Sequence, residues 1–183
     1  MSPQSGGIGE RLPFYGMRMR QLDDRLLSIL MVASLCAFFA APAHAQKQEA
    51  AQFAATDCDP VMWTHVYNPK RLQELAACIS VTGTVLESTA DEDGDQHFLL
   101  KLDPGQNALV NKRNKKRKAG ALVVEIVCAN PTRLKKPRAA CAGYTNSIPL
   151  PQSGWRVRVT GSYVIDTHNG WAELHPVSKL QKM

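Results

Sequence analysis

The sequence lacks the short motifs that mark the common classes of enzyme. It contains no Gly-x-Ser-x-Gly nucleophile elbow, no phosphate-binding P-loop, no glycine pattern of a dinucleotide-binding fold and no His-Glu-x-x-His motif. Ser80 and Ser162 have no histidine or carboxylate placed in sequence to activate them as nucleophiles. We therefore expect a binding protein rather than an enzyme of these classes, and we expect no cofactor.

Long apolar runs are also scarce, and the single one, from about Leu26 to Ala41, is too short and too rich in alanine for a membrane span. Three arginines precede this run, and Ala43-His44-Ala45 follows it as a small-x-small cleavage site. The pattern is typical of a secretory signal peptide. We predict that residues 1–45 are removed, that the protein is exported to the periplasm or the medium, and that no membrane span remains.

The remaining chain has the length and charge of one small basic domain. Of the 22 basic and 16 acidic residues, four and three lie in residues 1–45, so the rest of the chain holds 18 and 13, a net charge of +5. Residues 46–57 are rich in Ala and Gln without an apolar period, which predicts a loose leader. Residues 58–183 are then long enough for a single domain with a real core.

None of the cysteines shows the two-residue spacing of zinc ligands, so a cysteine zinc site is disfavoured. Four cysteines follow the predicted cleavage site, and an even number in an exported chain favours disulfides. Three pairings are possible. We favour the pairing of chain neighbours, Cys58 with Cys78 and Cys128 with Cys141, because each bridge would close a loop that has no apolar pattern of its own.

One short helix and five strands are predicted after residue 58. Asn68-Pro69 is a helix-start signal, and Leu72, Leu75 and Ala76 follow at helical spacing, so we predict a helix over Pro69–Ala77. Alternation of apolar and polar residues then predicts strands, separated by an acidic turn at 91–95, polar loops at 104–120 and 130–154, and an Asn-Gly turn at 167–170. The predicted strands cover Ile79–Val85, Phe98–Leu102, Ala121–Cys128, Arg156–Tyr163 and Trp171–Val177.

Two of these strands share a Val-Thr-Gly core, at Val81-Thr82-Gly83 and Val159-Thr160-Gly161. A glycine in mid-strand predicts a bulge or bend, which lets a small sheet close on itself. With this strand count and spacing, the chain resembles the OB-fold, and in particular small exported bacterial proteins of that fold. The resemblance implies a mainly β, five-stranded Greek-key barrel with a short N-terminal helix and two disulfides. A sandwich of the same strands is the alternative.

A dense run of cations in the predicted loop at 104–120 is the strongest functional signal. The functional interpretation is contact with a polyanion, such as nucleic acid, an anionic glycan or a lipid surface, or with an envelope protein; the alternative is a solvated, mobile loop. A weaker group lies in the next loop, at Arg133, Lys135, Lys136 and Arg138. Aromatic residues are only 7% of the chain, and the predicted outward faces of strands two and three have none, which disfavours base stacking. The run consists of Lys112, Arg113, Lys115, Lys116, Arg117 and Lys118.

Carboxylates and histidines near the acidic turn and strand five form a second candidate set. Alternate aspartates in the turn could hold calcium, although the order of residues differs from an EF-hand. A histidine and carboxylate set could instead bind a transition metal in a nuclease-like hydrolase, which is the enzymatic alternative; a purely structural or interaction domain is the third. The candidate metal ligands are Asp93, Asp95, His97, His168, Glu173 and His175.

Overall fold

The computed structural model describes residues 41–183. These residues form a mainly β fold with five strands, three short helices and three 3₁₀ segments. The predicted signal peptide lies outside the described residues, except for its last five positions. The helices are α1 (Ala41–Ala51), α2 (Lys112–Arg117) and α3 (Lys135–Ala140), and the strands are β1 (Leu72–Ala90), β2 (Gln96–Leu102), β3 (Leu122–Ile126), β4 (Arg156–Asp166) and β5 (Ala172–Lys182).

The five strands pair in the order β1-β2-β3-β5-β4, and β4 pairs back to β1, so the sheet closes on itself. All neighbours are antiparallel except β3 and β5, which are parallel and share only two residue pairs. The ring is therefore irregular on that side. The glycines of the two Val-Thr-Gly cores allow the neighbouring strands to approach closely. A Cβ on Gly83 would clash with the Lys101 carbonyl oxygen, and a Cβ on Gly161 would lie 2.7 Å from the Pro176 carbonyl oxygen.

The inside of the ring is the main apolar core, and the predicted inward residues fill it. Phe98, Leu100, Val124, Val159 and Leu174 are all completely buried there. Alternation along each strand sends the intervening residues to the outside. Two smaller apolar clusters cover part of that outer face, one around Val127 and Cys128 and the other around Leu99 and Val123. The outer face of β3 is therefore not a solvated surface.

Both predicted disulfides are confirmed. Cys58 is bonded to Cys78 and ties the chain before the sheet to β1, while Cys128 is bonded to Cys141 and ties the end of β3 to the following loop. These four cysteines are therefore not zinc ligands. Between the first bridge and β1, the 3₁₀ segments Pro60–His65 and Pro69–Arg71 cross the outside of the sheet, where Val66 packs against Val127 and Cys128.

The predicted helix over Pro69–Ala77 is wrong. A single 3₁₀ turn, Pro69–Arg71, follows the Asn-Pro signal, and β1 begins directly after it at Leu72. The pairing of β1 with β4 shifts register between Glu74 and Ala76 and again between Ala76 and Ile79. Leu75 and Ala76 at the first bulge both pack against the main core, whereas Leu72 packs against the outer cluster, so the helical spacing of these three residues does not form one helical face.

Residues 46–57, expected to be a loose leader, instead pack against the sheet. Gln46 in α1 donates a hydrogen bond to the Tyr163 hydroxyl, and Ala50 is fully buried in the main core. The backbone N–H of Ser80 then donates to the Phe53 carbonyl, and that of Ala55 to the Cys78 carbonyl. The buried backbone groups of this segment are thereby paired with β1, which fixes the segment in place.

The loops predicted to be irregular contain short helices. Residues 104–120 include a 3₁₀ turn and α2, and residues 130–154 include α3. As predicted, the strand alternation brings the β1–β2 turn next to the β3–β4 loop, where the Asn130 N–H donates to the Gly94 carbonyl. Within residues 41–183, no helix is long and apolar enough to cross a membrane.

Candidate functional site

A pocket of about 220 Å³ lies on the outer face of strands β2, β3 and β5. The segment that crosses the sheet before β1 forms one wall, through Tyr67 and Arg71 among others. The β1–β2 turn and the β4–β5 turn close its two ends. Ionisable side chains from the three strands form its floor; these are His97, Glu125, Glu173 and His175.

Strand pairing brings the floor residues together. His97 on β2 lies opposite Glu125 on β3, and the parallel pairing of β3 with β5 places Glu125 beside His175. Nδ1 of His175 is 2.8 Å from Oε2 of Glu125. Asp95, which directly precedes β2, lies beside this pair. The Cys128 N–H donates to its Oδ1 at 2.9 Å and holds the carboxylate there. One ligand atom from each of Asp95, Glu125 and His175 lies within 4.8 Å of the other two.

His175 is the unusual member of this cluster, because it is 7% exposed and its ring nitrogens lack hydrogen bonds. Nδ1 is close to Glu125, and 3.3 Å from Oε1 of Glu173, but neither contact has hydrogen-bond geometry. Nε2 has no partner in the described part of the chain. Most buried polar side-chain atoms are hydrogen-bonded, so the imidazole is a buried donor or acceptor that lacks its partner.

The carboxylates of the cluster differ in their pKa values because they differ in surroundings. Burial raises the pKa of Asp95 to about 7, and the neighbouring Asp93 adds to the shift. Burial also raises the pKa of Glu173, whose Oε2 accepts a hydrogen bond from the Trp171 indole. Burial opposes charge on Glu125 as well, but His175 outweighs it and lowers the Glu125 pKa.

The pKa of His175 is raised well above its ordinary value. Burial opposes the imidazolium, but the carboxylates of Glu125 and Glu173 beside it more than compensate. The cluster of Asp95, Glu125 and His175 therefore combines one imidazole with two carboxylates, and the buried Glu173 carboxylate beside His175 is a third. The acidic charge there exceeds the basic charge whenever those carboxylates are ionised.

The six predicted metal ligands do not all lie together in the structure. Asp95 and His175 belong to the cluster, and Glu173 contacts His175. His97 lines the pocket next to Glu125, with Nδ1 3.3 Å from Oδ2 of Asp91. Asp93 lines the pocket at its edge, where its Oδ1 accepts from the Asp95 N–H. His168 is exposed in the β4–β5 turn and takes no part.

Sequence reasoning missed Glu125. Alternation correctly placed Glu125 on the outward face of strand three. In the sequence, however, Glu125 is a single charged residue in a nearly continuous apolar run, and nothing local links it to the candidate ligands. The signal that could have identified it is the strand order, because only the parallel pairing of β3 with β5 places Glu125 beside His175. A charged residue in an otherwise apolar strand is itself a reason to look for a buried partner.

The run of cations at 112–118, called the basic cluster below, lies on α2 and the residue after it. Lys112, Arg113 and the run Lys115–Arg117 are exposed, and Lys118 is half-buried. Lys118 Nζ lies 4.1 Å from the ring centroid of Trp171, and Arg113 Nε donates to the Asn169 carbonyl at 2.9 Å. Within residues 41–183, none of the six cations forms an ion pair.

Asn114, the one uncharged residue inside the run, holds the helix in place. It is completely buried, and its Nδ2 donates to the carbonyls of Ala121 and Ala172. Its Oδ1 accepts from the Ala172 N–H and, as part of a capping box, from the Asn111 N–H. The alternative interpretation, a mobile loop, does not fit this arrangement, since the basic cluster is fixed to the start of β5.

The second basic group lies elsewhere. Arg133 precedes α3, and Lys135, Lys136 and Arg138 lie on it; all four are exposed. Thr132 beside them accepts and donates hydrogen bonds within this end of the sheet, including one from its hydroxyl to the Glu92 carbonyl. This group therefore lies at the β1–β2 turn, as predicted, and provides a comparison for the basic cluster.

No protein-family model matches the chain, and comparison with curated proteins finds no significantly similar relative.

Proposed function

We propose that this protein is an exported, disulfide-stabilised binding module of the OB type that contacts a polyanion through the basic cluster. The observation that carries the proposal is the six-cation run itself, held on a capped helix with five of its members exposed and none in an ion pair within the described residues. Such a density of unneutralised, fixed charge favours an anionic partner.

The topology supports an OB-type barrel. Five strands in the order β1-β2-β3-β5-β4, with β4 returning to β1, match the strand number and closure of a five-stranded Greek-key barrel. Barrels of this type bind ligands on the face of strands two and three and at the β1–β2 and β4–β5 loops. Arg113 of the basic cluster is bonded to the β4–β5 turn, so the cluster lies beside one of these loops.

Contact with the anion would involve charge rather than stacked bases. The outward residues of β2 and β3 include no Phe, Tyr or Trp, and the nearby Trp171 already carries Lys118 on its face. Cations that neutralise a polyanion release its counterions, so affinity falls as salt concentration rises. A fixed helix loses less side-chain and backbone entropy on binding than a mobile loop would.

The test measures binding of a labelled DNA single strand of about 20 bases and of heparin to the protein without its signal peptide. We expect sequence-independent binding that weakens steeply between about 50 and 200 mM salt. Replacing Lys115, Lys116, Arg117 and Lys118 with Ser should reduce the slope of log K against log salt by as much as about 3.

The matched control replaces the four exposed cations of the second group, Arg133, Lys135, Lys136 and Arg138, with Ser. It removes the same charge from the other end of the sheet, and we expect a smaller loss of affinity. If the basic-cluster variant binds both probes as tightly as the parent at low salt, the cluster serves only solubility and the proposal fails.

A further inference from the structure

The acid–histidine cluster in the pocket is not explained by contact with a polyanion, since its own charge is acidic. Asp95, Glu125 and His175 come from three separate parts of the chain, yet one ligand atom of each lies within 4.8 Å of the others. The cost of burying several carboxylates together is large unless a cation compensates it. Arg71 in the pocket wall is already bonded to Asp166, so within the described residues the single imidazole of His175 stands against the carboxylates of Asp95, Glu125 and Glu173 and compensates them only in part.

His175 supplies a second, independent observation. It is more than nine-tenths buried, it lines the pocket, and its Nε2 has no hydrogen-bond partner in the described chain. A structural histidine in such a place would normally donate or accept a hydrogen bond at each nitrogen. An imidazole without partners, next to two carboxylates and facing a pocket, has the surroundings expected of a metal ligand.

We propose that Asp95, Glu125 and His175 bind a divalent first-row transition metal ion in this pocket. One nitrogen and two oxygen donors suit ions such as Zn²⁺ or Mn²⁺ better than calcium, which takes six to eight oxygen ligands. Donor atoms around a zinc ion lie about 3.3 Å apart, so side-chain rotations of modest size would complete the site.

The surroundings of the three ligands resemble those of metal sites elsewhere. The Cys128 N–H fixes the Asp95 carboxylate, and the Trp171 indole fixes Glu173 against His175. Hydrogen bonds of this kind orient metal ligands and are usual in the second layer of a site. Three protein ligands would leave further coordination positions toward the 220 Å³ pocket, as in zinc sites that accept water or substrate.

The disulfides simplify a metal-binding experiment. All four cysteines of the described chain are bonded in pairs, so no thiolate there competes for the metal. Isothermal titration of the chelator-treated protein with ZnCl₂ and with MnCl₂ should show one site per chain. Glu125→Gln and His175→Gln should each weaken binding by about a hundredfold or more, since each removes a ligand.

Two matched controls separate this site from surface binding. Glu92→Gln changes an exposed carboxylate of the β1–β2 turn, and His168→Gln changes the exposed histidine of the β4–β5 turn. Both should bind metal as the parent does. Circular dichroism of every variant checks that it is folded, and Glu125→Gln, which keeps the shape of the side chain, keeps the test decisive if His175→Gln does not fold.

The proposal would be overturned by no binding of either ion by the folded parent, by unchanged binding in Glu125→Gln, or by loss of binding in His168→Gln. Titration with CaCl₂ tests the ion class, and calcium binding as tight as that of zinc and manganese would also overturn it. The outcome is independent of the polyanion measurements, because the variants made for the basic cluster leave all three ligands in place.

Discussion

Asp95 is only 4% exposed, and burial raises the pKa of its carboxyl group to about 7. Between about pH 4 and pH 7, the folded protein keeps a proton on Asp95 that the unfolded chain has released, so Asp95 lowers stability as pH rises through this range. Without metal, Asp95→Asn should therefore be more stable than the parent at pH 8 by roughly 2–4 kcal/mol.

Urea unfolding in the presence of a chelator at pH 4, 6 and 8 measures this difference. The amide oxygen of the substituted side chain can still accept from the Cys128 N–H, so Asp95→Asn changes charge with little change in shape. The gain in stability should shrink toward zero at pH 4. An equal stability of the two proteins at pH 8 would show that Asp95 is not held in a costly ionised state there.

At the scale of single residues, the sequence predicted which face of a strand a side chain lies on, but not which residues it contacts. Alternation along strands assigned His97, Glu125, Glu173 and His175 to outward faces, and the structure confirms each assignment. It could not show that these faces are covered or that strands three and five are adjacent. Periodicity describes one strand at a time, whereas the cluster depends on pairing between residues about 50 positions apart.

Among the elements, α2 depends on Asn114 more than on its own length. Six residues are too few for a stable isolated helix, so the tertiary hydrogen bonds of Asn114 must hold it. Asn114→Ala leaves the Ala172 N–H and two carbonyls without this partner. We expect a loss of about 2–4 kcal/mol in the free energy of unfolding, together with weaker polyanion binding although no charge is removed.

The control for this variant is Asn107→Ala, which changes an exposed asparagine in the 3₁₀ turn of the same connection. Urea unfolding and DNA binding should be nearly unchanged by it. If Asn114→Ala leaves both the stability and the salt dependence of binding as in the parent, α2 does not need its buried anchor.

Elements were predicted well where a strand is regular and poorly where local signals mislead. The five strands were all predicted, but β1 was given less than half of its length, because its bulged first part has the spacing of a helix. Similarly, α2 was taken for a loop because its residues are charged at nearly every position. Its capping box, Asn111 to Asn114, is a local signal that could have revealed it.

At the scale of the whole molecule, the bridge between Cys58 and Cys78 holds the outer segment of residues 60–71 against the sheet, where it forms a wall of the pocket. Replacing both cysteines with Ser should lower the free energy of unfolding by about 3 kcal/mol, since the bridge joins residues with a sequence separation of 20. Urea unfolding measures the change.

Peptide mapping of the parent, which should link Cys58 to Cys78 and Cys128 to Cys141, provides the reference for that variant. Replacing Cys128 and Cys141 as a second pair tests the other bridge, whose sequence separation is shorter at 13, and a slightly smaller loss is expected. Unfolding curves that coincide with the parent for both variants would mean that neither bridge stabilises the fold.

The return of β4 to β1 has a consequence for the order of folding events while the chain is synthesised. Ile79 pairs with Gly161. Because the N-terminal part of the chain is made first, the sheet cannot close until most of the chain, including β4, has been synthesised. Until then, the edge of β1 that pairs with β4 lacks its partner and is open to wrong pairing with other chains, whereas β2 follows directly and can cover the other edge. The two disulfides join neighbours along the chain and need no such delay. Under oxidising conditions, the two bridges can therefore form before the ring closes and restrict the chain while it waits for β4.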